Sequence, residues 1–129
     1  MNISSTFHSP ETTADAEAIY RESKHPIYLS GGQEVVLRLQ HELEHISDLI
    51  DLSNIDELHG VHAEGSTLSI GAGENHAAIA GSAVVAHSAP VLSELASNIG
   101  DSQTRNRGTI GGAIASKTRS SDWNAALLA

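Results

Sequence analysis

His41-Glu42-Leu43-Glu44-His45 is the pattern in this chain with the most explicit chemistry. On a helix, His41 and His45 fall one turn apart on one face, the spacing two imidazoles need to share a zinc ion. Glu42 or Glu44 then stands where a general base toward a zinc-bound water would stand. The surroundings argue the other way. The segment is short and charged, and Asp48 and Asp51 occupy the region where an extended zinc-peptidase motif carries Gly and a third His. It reads first as a solvated helix end running into a strand, with a zinc hydrolase as the second reading.

Glycine pairs carry the other chemistry. Gly31-Gly32 follows a β-rich run and precedes a helical pattern, an arrangement in which backbone N–H groups hold phosphate. Gly111-Gly112 follows a basic, amide-rich stretch and precedes small residues, which permits close backbone approach. Neither is a Walker A loop, since no Gly-Lys-Ser/Thr follows, and Gly71-Ala72-Gly73 fails as G-x-G-x-x-G because His76 takes the last position. Each pair alone also reads as an ordinary turn. Arg105 and Arg107, beside Gly108, suit either a phosphate-bearing ligand or surface carboxylates such as Asp101. Asp122 offers a carboxylate to sugar or ribityl hydroxyls, or serves a helix start.

Behind these residues the hydropathy pattern predicts a helix from Ser9-Pro10 to about Glu22, a strand at Pro26–Ser30, a helix at Glu34–Glu44 and a strand at Asp48–Leu52. That alternation predicts a small parallel α/β unit. After a lobe boundary near Ser53, Val61–Ala63 and Thr67–Ile70 flank Glu64-Gly65-Ser66 as a hairpin. A short helix follows at Asn75–Ala80, and a better one at Pro90–Ile99, with Pro at its start and Gly100 at its end.

The composition bounds the partners. The chain has 129 residues, no Cys and a formal charge of −9. Absent cysteine excludes disulfides, thiolate metal sites and cysteine-ligated iron–sulfur clusters within this chain. The acidic balance argues against nucleic acid and anionic membranes. No apolar run approaches the roughly 20 residues of a membrane span, and the start lacks the pattern of a signal peptide. A cytoplasmic protein is expected.

Taken in order, Leu29-Ser30-Gly31-Gly32-Gln33, Ser69-Ile70-Gly71-Ala72, the run from Ile99 through Gly112 and Ser121-Asp122 resemble the FAD-binding flavoprotein (medium) subunit of molybdenum hydroxylases, the carbon monoxide dehydrogenase-like branch above all. The same domain occurs in xanthine dehydrogenases. The resemblance covers about Phe7 to Leu128. It implies an α/β (α+β) PCMH-type FAD-binding fold, shared with vanillyl-alcohol oxidase-like enzymes, with a first lobe at residues 1–53 and a second at 54–129.

Family members continue past Leu127-Leu128-Ala129, so the second lobe is expected to be incomplete. The resemblance further implies a cofactor site of Leu29, Ser30, Gly31, Gly32, Gln33 and Glu34; of Gly71 and Ala72; of Gly108, Thr109, Ile110, Gly111, Gly112 and Ala113; and of Asp122. The two Gly loops would cradle the FAD pyrophosphate, with Asp122 near the ribityl chain. Where the family carries Asn or Ser, Ala113 supplies no side-chain hydrogen bond. No catalytic residue and no metal is assigned to this chain. The implied function is electron transfer from iron–sulfur clusters in a partner chain, themselves supplied by a molybdopterin subunit, through FAD to an external acceptor; beside the zinc hydrolase, the other alternative is a cofactor-less remnant or binding module.

Overall fold

The computed structural model describes residues 5–33, 35–36, 46–116 and 121–129. Glu34, the His41–His45 motif with the rest of its predicted helix beyond Val36, and residues 117–120 lie outside the described residues. The chain packs as two units, Met1–Glu57 and Leu58–Ala129.

In the first unit, β1 (Thr6–His8), helix α1 (Thr13–Glu22), β2 (Pro26–Leu29) and β3 (Asp48–Asp51) build a parallel sheet of order β1-β3-β2. The register sets Leu49 between Phe7 and Ile27, and Ile50 between His8 and Tyr28. Central β3 carries Ile50, fully buried, and α1 packs on that strand with Ala16 turned inward. Thr12 caps α1 by accepting from the Asp15 N–H at 3.1 Å, and Ser23 ends it by donating to the Ile19 carbonyl. Pro26 opens an edge strand, where its missing N–H costs no central ladder bond.

Strand β1 is too short to announce itself in sequence, and its partner specifies it. Beyond the Thr6–Asp48 register, His8 Nε2 lies 2.7 Å from Asp48 Oδ1 and the Ser47 hydroxyl donates to Asp48 Oδ2 at 2.6 Å. Those hydrogen bonds hold the Asp48 carboxyl below its ordinary range, Ser47 contributing most. Residues past Ser53 remain with this unit. Ile55 is fully buried, Asn54 donates to Ser9, and Thr13 donates to Glu57.

The second unit begins with a hairpin, β4 (Val61–Glu64) and β5 (Thr67–Ile70), turning through Gly65 at φ +58°. Six short helices follow: α2 (His76–Gly81), α3 (Ala83–Ser88), α4 (Pro90–Ser97), α5 (Ser102–Arg107), α6 (Ile110–Ala115) and α7 (Asp122–Leu128). Ile79, Val85, Ala96, Ile110 and Trp123 form the core, with Val61, Ile70, Leu92 and Leu95 against it. Helices this short have little intrinsic stability, so caps and packing hold them. Asn75, Ser82, Asp101 and Thr109 each cap the N-terminus of a helix.

Two segments with loop-like texture are helical. Asp101–Arg107 has no apolar stripe, yet Asp101 Oδ1 accepts from the Thr104 N–H at 2.7 Å and α5 follows. That bond is the main reason the Asp101 carboxyl lies below its ordinary range. The second Gly pair likewise falls inside α6 rather than in a loop.

Candidate functional site

At the carboxyl end of β2 the chain leaves the sheet through Ser30-Gly31-Gly32-Gln33. Gly32 takes φ +74°, a left-handed conformation that favours glycine. Its carbonyl accepts from the Val36 N–H at 3.1 Å, the bond that opens a helical turn. Among the described residues, the N–H groups of Gly31, Gly32 and Gln33 have no protein partner. Three successive N–H donors around a left-handed glycine are the kind of backbone group that anion sites use, and such sites need no lysine. Leu29 is the last residue of β2, its carbonyl accepting from Leu52 at 2.8 Å. Backbone donors of this kind suit an anion chemically.

The second loop is built differently. Gly111 N–H donates to Ala72 O at 2.8 Å, Ile110 N–H to Glu74 O at 3.0 Å, and His76 N–H to Gly108 O at 3.0 Å. Asn75 Nδ2 adds a bond to Asn106 O at 3.1 Å. The segment after β5 is thus the template on which residues 106–111 are laid. Gly112 N–H goes to the Thr109 hydroxyl and Ala113 N–H to the Thr109 carbonyl. All four N–H groups from Ile110 to Ala113 are therefore engaged within the protein. The expectation that they spread phosphate charge does not fit this arrangement.

The close backbone approach foreseen at Gly111 exists, but its partner is the protein. A Cβ on Gly111 would lie 2.6 Å from Ala72 O, and one on Gly71 would lie 2.3 Å from Leu58 O. Gly71 and Ala72 thus meet the chain itself, and Gly73 N–H donates to Leu58 O at 2.7 Å.

His76 sits at the centre of this unit, 4% exposed. Its Nδ1 accepts from Trp123 Nε1 at 3.1 Å, and the two rings stack with centroids 5.9 Å apart. Burial lowers its affinity for a proton, so the ring is neutral at pH 7 with the hydrogen on Nε2. Trp123 is the second residue of α7, next to the exposed Asp122. The Ser121 hydroxyl is buried there with no hydrogen-bond partner among the described residues.

Structure therefore joins Gly71–Ala72, Gly108–Ala113 and Asp122 through residues that the motifs did not single out: Glu74, Asn75, His76 and Trp123. Asn75 as a cap residue before a short helix was the one legible signal. Arg105 Nη1 donates to the carbonyls of Ile99 and Gly100, at 3.1 and 2.8 Å, closing the end of α4. Among the described residues no cluster of three His, Cys, Asp or Glu could hold a metal ion. No helix among them is long and apolar enough to cross a membrane.

Comparison with known proteins decides the family. The one described as "FAD binding domain in molybdopterin dehydrogenase" matches residues 2–129. This chain belongs to it. FAD is accordingly the cofactor of the fold, and the molybdenum-hydroxylase resemblance holds. The FAD-domain chain is 36% identical over 110 residues to the carbon monoxide dehydrogenase medium chain of Hydrogenophaga pseudoflava, covering 84% of this chain and 38% of the relative. It is 30% identical over 118 residues to the xanthine dehydrogenase FAD-binding subunit of Escherichia coli O157:H7, covering 91% of itself and 40% of that protein. The solved carbon monoxide dehydrogenase of H. pseudoflava superposes with a TM-score of 0.90 at 33% identity, over 95% of this chain and 43% of that one. The FAD-domain chain thus spans about two-fifths of the length of the relatives it matches.

Proposed function

We propose that this chain is the FAD-holding segment of a molybdenum-hydroxylase-type oxidoreductase, in a PCMH-type fold. Electrons would come from iron–sulfur clusters in a partner chain, downstream of a molybdopterin subunit, and leave for an external acceptor in the cytoplasm. The observation that carries the reading is the Gly31-Gly32-Gln33 turn. Among the described residues its three N–H donors have no protein partner at the end of a parallel strand, in a family defined by FAD.

FAD supplies the redox chemistry when bound, accepting and releasing electrons singly or in pairs. The residues of this chain bind and orient. Main-chain dipoles of the first loop neutralise the pyrophosphate in a protein whose net charge is −9, where a salt-bridging lysine is not required. Gly108–Ala113, with its N–H groups engaged, offers small side chains and a rigid surface against which the cofactor can lie closely. Asp122, exposed beside the anchored Trp123, is the acceptor we assign to ribityl hydroxyls. The acidic chain contains no cysteine, so iron–sulfur clusters held by cysteine are assigned to a separate chain or segment. Nothing in the family match supports the zinc-hydrolase reading of His41 and His45.

A matched pair of variants tests the first loop. Gly32→Ala and Gly65→Ala both place a side chain at positive φ, +74° and +58°, at a similar backbone cost of about 1–2 kcal/mol. Only Gly32→Ala should weaken FAD binding, by about tenfold in a flavin-fluorescence titration. A colourless wild-type chain that takes up no FAD, or equal FAD affinity in the two variants, refutes the assignment.

A further inference from the structure

We infer that His76 is a positioning residue for flavin binding, tying the Gly108–Gly112 turn and the Ser121–Asp122 segment into one arrangement through its hydrogen bond with Trp123. The inference rests on the FAD reading above and extends it to residues that do not themselves hold the cofactor.

Three contacts make His76 a junction. Its backbone N–H donates to Gly108 O at 3.0 Å, fixing the turn that leads into Thr109. Its ring lies against Gly108 so closely that a Cβ there would stand 2.9 Å from Nε2 and 3.0 Å from Cδ2. Its Nδ1 takes the indole hydrogen of Trp123, 47 residues away. Trp123 is 1% exposed and immediately follows Asp122. The indole has a single N–H, and Nδ1 receives it only while that nitrogen carries no proton. The cap of α7 adds no competing anchor, because Ser121 makes no side-chain cap bond. The azimuth of Asp122 is therefore set from Trp123, and that of Trp123 from His76.

A proton on Nδ1 would set two donors face to face in a buried site, so the arrangement should loosen in acid. Burial alone depresses the proton affinity of this ring. Glu74 before α2, His87 on α3, Glu94 on α4, Asp101, Arg105 and Arg107 at α5, and Asp122 on α7 contribute no resolved share. Among the described residues, burial is the one cause resolved.

The test uses the full chain, FAD as the probe, and three variants. Trp123→Phe keeps an aromatic ring but loses the donor. His76→Leu loses the acceptor, and His76→Gln offers an amide oxygen that accepts without titrating. Flavin titrations are run at about pH 7.5 and about pH 5.5, either side of an ordinary histidine value, alongside circular dichroism to count folded chain.

At the higher pH, Trp123→Phe and His76→Leu should bind FAD about tenfold more weakly per folded molecule, and His76→Gln should recover most of the loss. On acidification, wild-type affinity should fall only where the folded ring takes up a proton, below the ordinary histidine value, and His76→Gln should show no such fall. If all variants bind FAD as tightly as wild type once folded, or if His76→Gln binds no better than His76→Leu, the positioning role is overturned and the FAD reading stands. A wild-type chain that binds no FAD at either pH overturns both.

Discussion

Gly111→Ala separates two reasons for a glycine in a cofactor loop. If Gly111 is small to admit a ligand, alanine leaves the folded chain intact and lowers FAD affinity. If it is small to admit Ala72, alanine damages the fold with no ligand present. The geometry favours the second. The added Cβ would stand 2.6 Å from Ala72 O, 2.8 Å from Ala72 Cβ and 3.1 Å from Ala72 C. Two of those atoms are backbone and the third is a Cβ, so no side-chain rotation relieves the overlap.

Reaching an ordinary contact means opening the 2.6 Å separation to at least 3.4 Å. That movement stretches the 2.8 Å bond from Gly111 N–H to Ala72 O. Overpacking of this kind costs about 1–3 kcal/mol, and the weakened hydrogen bond about 1 kcal/mol. Alanine's higher helix propensity, Gly111 lying in α6, returns about 1 kcal/mol. The net loss is about 1–3 kcal/mol, or roughly 5–10 °C in Tm.

Urea unfolding followed by fluorescence of Trp123 is the assay, since this single tryptophan is buried in the core of the second unit. Gly81→Ala is the internal contrast. Gly81 lies in α2, its Cβ would meet nothing within 4 Å, and its φ is not positive. It should gain about 0.4–1 kcal/mol. A Gly111→Ala chain within about 0.5 kcal/mol of wild type would refute the packing argument.

The remaining expectations concern stability. Because burial holds the folded His76 below the ordinary value of 6.5, the unfolded chain takes up a proton that the folded chain resists. Its contribution is complete above pH 6.5 and is lost as pH falls below it, so the wild-type urea midpoint should fall between about pH 7.5 and about pH 5.5 more steeply than that of His76→Gln; parallel profiles contradict this. Thr109→Ala removes the oxygen that accepts from Gly112 N–H at 3.1 Å and should cost about 1 kcal/mol. Thr109→Ser should recover most of it, and equal midpoints for the two variants would show that the cap contributes little.

Much of the first unit was legible because its signals are local. Thr12 and Ser23 bracket α1, Pro26 opens β2 and Gly32 closes the turn after it, and each follows from backbone chemistry within a few residues. Strand β1 was not, since three residues carry no period and its register comes from Asp48, about forty residues away. In the second unit, α5 has polar side chains throughout and is specified by the Asp101 cap rather than by an apolar face. Arg105, whose sequence position suits a phosphate, is turned instead toward two carbonyls that α4 leaves open.

From residue order alone came the family, its cofactor, and the places where glycine must stand, because a run such as Ile99–Gly112 is specific as a string. Tertiary structure decided what each glycine is for. Gly32 is glycine for its own backbone dihedral, whereas Gly71 and Gly111 are glycine because Leu58 and Ala72 pass within contact distance. The joining of His76 to Trp123 was also beyond the string. A hydrogen bond across 47 residues depends on how α2 and α7 pack, and packing is a property of the folded chain, not of neighbours in sequence.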